Sequence, residues 1–102
     1  MPVVKLSRTD QDEQTELRIE GLLDAVTVAD LRPSIDELVA ARRQVIIVDL
    51  SGLRLIDSSG VGAIVSLYKR VRAHGGDVKV VGVRGQPLAI FRLLRLDRVF
   101  SL

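Results

Sequence analysis

Asp57, Ser58, Ser59 and Gly60 stand in a row just beyond an apolar run, Val45-Ile46-Ile47-Val48-Asp49-Leu50, and just before a helix predicted to begin near Val61. That spacing puts two hydroxyls at a helix N-terminus, where first-turn amides lack intrahelical partners and the aligned peptide dipoles leave partial positive charge. Such a place suits a phosphate. A phosphoryl group adds about −1.5 to −2 charge at neutral pH and three acceptor oxygens, enough to turn an attractive surface repulsive. The chemistry suggested is that of a switch. The competing account is ordinary capping and turn chemistry, which Asp, Ser and Gly supply at many strand-to-helix junctions.

Helical periodicity assigns the faces. Val61, Ile64, Val65, Tyr68 and Val71 form one apolar stripe, and Ser59 falls roughly opposite its centre. Ser58 lies nearer the stripe's edge and is the expected N-cap. Ser59 is then free for a kinase or a partner, and Gly60, Gly62, Ala63, Ser66 and Arg70 form the expected docking face. Asp24 and Asp57 either gather around Ser59 or satisfy backbone amides in turns; both accounts stay open. Asp49, inside an apolar run, is expected to be a paired structural acid. His74, ahead of Gly75-Gly76, is expected to cap the helix end.

These residues need elements to hold them. The chain has 102 residues, the size of one domain spanning residues 1–102. Val3 to Arg8 and Thr15 to Glu20 alternate apolar and polar and read as an antiparallel pair covering a sheet edge. Thr27 and Asp30 resemble a capping box opening a helix to about Arg43, with Pro33 either kinking it or delaying its start. Val45 to Leu50 and Val78 to Val83 read as parallel central strands covered on both faces and joined by the helix after Ser59. Gly85-Gln86-Pro87 starts a third helix that packs back through Leu88, Ile90, Phe91, Leu94 and Leu96. The expected fold is an α/β domain with a mixed sheet and helices packed on it.

Composition narrows the chemistry. There is no cysteine and one histidine, which excludes disulfides and thiolate nucleophiles and argues against a metal centre. Ser59 is not in a Gly-x-Ser-x-Gly elbow and the single histidine is a helix length away, so a hydrolase is not expected. No Walker or dinucleotide loop is present, and no cofactor is expected. Residues 1 to 68 hold seven Lys/Arg against eleven Asp/Glu, a balance of −4, while residues 69 to 102 hold eight against two, a balance of +6. That polarity can steer a charged partner, but the basic residues form no nucleic-acid recognition pattern. No run of about 18 apolar residues is present, and Met1-Pro2-Val3-Val4 does not look like a leader. A soluble, cytoplasmic protein without membrane insertion is expected.

The order of these motifs resembles the STAS family, in particular the bacterial anti-sigma factor antagonists. The resemblance runs from Gly21-Leu22-Leu23-Asp24 and Thr27-Val28-Ala29-Asp30-Leu31 through Val48-Asp49-Leu50-Ser51-Gly52 and Ile56-Asp57-Ser58-Ser59-Gly60-Val61-Gly62 to the segment from Leu94 to Phe100. It implies a non-enzymatic partner-switching module. In such a module the unphosphorylated antagonist binds an anti-sigma factor with serine kinase activity and frees a sigma factor. By position Ser59 would be the phosphoacceptor, Ser58 its supporting neighbour, and Asp24 and Asp57 would flank it. A phosphatase would reset the cycle. The other role implied is a STAS subunit docked constitutively on the cytoplasmic ATPase of a lipid transporter, with Ser59 serving only as a small residue.

Overall fold

In the second strand Thr15, Leu17 and Ile19 are buried, while Gln14, Glu16 and Arg18 between them are exposed. The period of two puts one face of the chain on a core and the other in water. A computed structural model, describing residues 3–102, shows how that face is used; Met1 and Pro2, part of the segment read above for a leader, lie outside the described residues. The order is β1 (Val4–Gln11), β2 (Gln14–Leu23), α1 (Val28–Ala40), β3 (Val45–Asp49), β4 (Leu53–Ile56), α2 (Ser58–Ala73), β5 (Asp77–Val81), α3 (Gly85–Leu93) and α4 (Leu96–Val99).

The strands form one mixed sheet in the order β1-β2-β3-β5, with β4 also paired to β2. β1 runs antiparallel to β2, and all other pairs are parallel. The register aligns Leu17 with Val48 and Val48 with Val80, and Thr15 with Ile46 and Ile46 with Val78, so the buried side chains form continuous rows. α1 supplies Leu31, Ile35 and Leu38 to this face, and α2 supplies Val61, Ile64, Leu67 and Val71. Phe100, just after α4, meets Tyr68 edge-on at 5.3 Å and lies 5.9 Å from Phe91, which closes the helical layer at the C-terminal end.

The mixed α/β fold with its N-terminal hairpin and parallel centre is as expected; several details are not. The central strands are covered on one face only. Glu16, Arg18, Lys79 and Val81 are exposed on the other, and Ile47 and Asp49 are only half-buried, because α1 and α2 pack against each other on the same side of the sheet. Only β1 is an edge strand of the hairpin; β2 is interior, bonded to β1 on one side and to β3 and β4 on the other. β4 was not foreseen. It is four residues long and carries the chain along β2 after the turn at Ser51-Gly52. α1 starts directly after Thr27 and runs through Pro33 to Ala40, three residues short of Arg43. Thr27 does not cap it: its backbone is already helical, and its hydroxyl donates to the Leu22 carbonyl at 2.8 Å and accepts from the Asp24 amide at 2.9 Å. Of the apolar positions assigned to the last helices, Phe91 is buried but Leu94 is half exposed. His74 is the C-cap of α2, and its Nε2 lies 3.0 Å from the Arg43 carbonyl.

The far end of the sheet holds a polar lock. Thr15 is fully buried; its hydroxyl donates to Asp10 Oδ1 at 2.8 Å and accepts from Arg43 Nε at 2.9 Å. Arg8 grips the same Asp10 carboxylate through two hydrogen bonds of 2.9 and 3.0 Å. The Arg8 bonds, then the Thr15 hydroxyl, lower the Asp10 carboxyl to about 2. Asp49 is also lowered, by the Ser51 amide and hydroxyl first and then by Arg18, its ion-pair partner at 3.3 Å. Carboxylates depressed in the fold keep their charge when the unfolded chain has begun to bind protons, so stability rises with pH across that window. The urea midpoint is therefore expected to be level from pH 7 to about 5 and to fall as pH drops from the ordinary carboxylate value near 4 towards about 2. Asp10→Asn should flatten part of that fall; an unchanged slope would exclude the lock as its source.

Candidate functional site

The junction between β4 and α2 is built around Asp57. Its backbone is extended, and its Oδ1 accepts from the amides of Ser59 at 2.9 Å and Gly60 at 3.1 Å. Its Oδ2 accepts from the Ala25 amide at 3.2 Å. One carboxylate thus caps α2 and also holds the loop between β2 and α1. The Asp57 amide donates to the Leu23 carbonyl at 3.1 Å, fixing the residue to the end of β2. Asp57, not Ser58, is the N-cap. An extended residue with a short carboxylate reaches amides two and three positions on, and Ser58 is already the first residue of the helix.

The helix therefore begins three residues before Val61, and its faces differ from the sequence expectation. Ser58 is exposed and Ser59 half-buried, and neither hydroxyl has a hydrogen-bond partner among the described residues. Gly62 is exposed with open space around it. Gly60 and Ala63, expected on the docking face, are buried instead. Gly60 sits so close to Leu23 and Ile56 that a Cβ would lie 2.7 Å from the Leu23 carbonyl oxygen. Ala63 faces α1, where it lines a small hollow with Ile35 and Ser66. Arg70 is held to α1 by an ion pair with Asp36 at 2.8 Å. Ser66 and Arg70 thus belong to the α1–α2 seam. Of the expected docking residues, Gly62 alone lies open beside the two serines.

Asp24 stands across the junction. Its Oδ1 accepts from the Thr27 and Val26 amides, each at 2.9 Å, and from the Thr27 hydroxyl at 3.2 Å. The Thr27 amide, followed by the Val26 amide and the Thr27 hydroxyl, holds its carboxyl below the usual range, so it carries full charge at neutral pH. Asp24 and Asp57 satisfy turn amides and also share a hollow of about 260 Å³ with Leu22, Leu55, Ile56 and Gln86. The turn account holds for both acids, and Asp57 also meets the Ser59 amide; Ser59 does not line the hollow that the two acids share. Leu55, which lines the hollow, is 51% exposed, and Val26, two residues after Asp24, is 70% exposed; sequence reasoning missed both because one lies in the unforeseen strand and the other in a loop. A larger hollow of about 520 Å³ opens beside Val3, Lys5, Glu20 and Arg54, and no serine, threonine or histidine lines it.

The site lies at the carboxyl ends of β2 and β4, where α/β sheets commonly present ligands and partners. A two-layer sheet with this order, and a capped helix presenting two free hydroxyls from an Asp-Ser-Ser-Gly turn, define a STAS-type module. The STAS domain model matches residues 5–102, and the chain belongs to that family. It is 32% identical over 87 residues to the anti-sigma F factor antagonist of Paenibacillus polymyxa, covering 84% of this chain and 72% of the relative. It is 27% identical over 97 residues to the anti-sigma-B factor antagonist of Staphylococcus aureus, covering 91% and 86%. In fold it resembles an anti-sigma factor antagonist from Mycobacterium paratuberculosis, with a TM-score of 0.86 at 23% identity over 96% of this chain and 83% of that one. It also resembles the Bacillus cell fate determinant SpoIIAA in the phosphorylated form, with a TM-score of 0.74 at 23% identity over 94% and 86%. Among the described residues no helix is long and apolar enough to cross a membrane.

Proposed function

We propose that this protein is an anti-sigma factor antagonist gated by phosphate on Ser59. Unphosphorylated, it binds an anti-sigma factor with serine kinase activity and so releases a sigma factor; phosphorylated, it lets go, and a phosphatase restores it. The observation that carries this reading is the pair of unpartnered serine hydroxyls at a helix start where the Ser59, Gly60 and Val61 amides are already taken. The Ser59 and Gly60 amides serve Asp57 Oδ1, and the Val61 amide serves the Asp57 carbonyl. A phosphate on Ser59 therefore does not sink into the helix end, as a free N-terminus would allow. It adds charge beside Asp57, which shares a hollow with Asp24, at a surface where Val26 and Leu55 are exposed and suited to a partner.

Docking is assigned to Ser58, Ser59 and Gly62 with Val26 and Leu55. Intact-mass and peptide mass spectrometry of protein purified from its native host tests the reading. Phosphate on Ser59 is the expected result. Its absence under every growth condition, together with co-purification of a transporter ATPase, would replace the switch with constitutive docking.

A further inference from the structure

Gln86 grips the residue that precedes the Asp57 cap. Its side-chain Oε1 accepts from the Ile56 amide, and its Nε2 donates to the Ile56 carbonyl, both at 2.9 Å. β4 is bonded to β2 along one edge and has no strand along the other. The Gln86 amide takes the place of that missing strand, satisfying both main-chain groups of one residue. Gln86 is the second residue of α3, between Gly85, whose φ of +61° makes the turn into the helix, and the buried Pro87. Ile56 is thus held from α3, while the amide of the next residue is held from β2. Asp57 then divides its two oxygens between α2 and the β2–α1 loop.

We infer that Gln86 is a positioning residue for the Ser59 site: its amide fixes Ile56 so that Asp57 meets both of its targets, and it ties α3 to the switch. The regulatory meaning rests on the reading of Ser59 given above; the clamp itself rests on the geometry at Ile56.

Amide hydrogen exchange on the full chain, with urea unfolding as the measure of global stability, tests this for Gln86→Met and Gln86→Glu. In Gln86→Met, protection is expected to fall about tenfold at Ile56, Ser59 and Gly60, while Val48 and Leu67 change only as global stability does. A uniform change, or none at Ile56, would overturn the proposal. Gln86→Glu supplies a readout that a packing role would not move. Its carboxylate cannot donate to the Ile56 carbonyl and repels that oxygen, so the side chain is pushed off Ile56 and protection of the Ile56 amide is expected to fall at neutral pH. Asp24 and Asp57 face it across the hollow, and Arg84 stands two residues before it at the α3 N-cap. Protonated, near pH 4, the side chain regains a donor and an acceptor. Protection at Ile56, relative to wild type at the same pH, should then recover; failure to recover overturns the clamp. Selective loss at Ile56 in a protein that carries no phosphate on Ser59 in its host would uphold the clamp and remove the switch.

Discussion

Gly60→Ala is expected to destabilise the domain by about 3 kcal/mol, while Gly62→Ala, two residues further on, is expected to stabilise it by up to about 1 kcal/mol. The opposite signs come from opposite surroundings. A Cβ on Gly60 would stand 2.7 Å from both Ile56 Cγ1 and the Leu23 carbonyl oxygen and 2.8 Å from Leu23 Cγ, so α2 would have to lift off β2 and β4. The carbonyl cannot turn aside like a side chain, because it accepts the Asp57 amide. At Gly62 nothing lies within 4 Å, and alanine brings only its better helix propensity. A domain of this size shifts its melting temperature by roughly 4–8 °C per kcal/mol, so thermal unfolding separates the two variants. Equal melting temperatures would mean that α2 does not sit as closely on Leu23 as described.

Phosphate on Ser59 is expected to weaken binding of the anti-sigma partner by about 100-fold or more relative to Ser59→Ala, which should bind constitutively. A 100-fold change corresponds to about 2.7 kcal/mol, within the several kcal/mol that like charges cost at an interface. Asp24 contributes to this, since its amide partners keep it ionised, and Asp57 is spent on three amides and offers no donor to the phosphate. Ser59→Asp should fall between the two, because a carboxylate carries less charge and fewer acceptors than a phosphate. Calorimetry with the partner captured from the host measures all three. Equal affinities for Ser59→Ala and the phosphoprotein would sink the switch.

Where alternation or periodicity spans a whole element, the sequence foretold the structure: the hairpin, the parallel pair of β3 and β5, and the long stripe of α2 are all present. The misses have a common cause, which is that small or short features take their meaning from neighbours. Gly60 and Ala63 read as an open surface because they lack bulk. They lack bulk because Leu23, Ile56 and α1 press against them. β4 carries too few residues for a pattern, and its partner, the second half of β2, lies more than thirty residues earlier in the chain. Asp57 outcompetes Ser58 as cap because the backbone turns extended one residue earlier than the apolar stripe alone suggests. The one-sided sheet was illegible for a different reason. A run such as Val45 to Leu50 looks the same whether its second face is covered by a helix or merely half shielded by the strands on either side.

That one-sided build also explains how much a chain of this shape can change while keeping its course. Twenty-one buried apolar residues, nearly all aliphatic and all in one cluster, carry the core among the described residues. Aliphatic residues of similar volume replace one another there at little cost. The uncovered face asks for still less: Thr9, Glu16 and Lys79 meet solvent there, and other polar side chains would serve. Lineages can therefore drift across most of the sequence while the backbone path stays put, which is how 23% identity coexists with a TM-score of 0.86. What drift cannot easily touch is Ile56, Asp57 and Gly60, which answer in turn to Gln86, to the Leu23 carbonyl and Ala25 amide, and to the close press of Leu23.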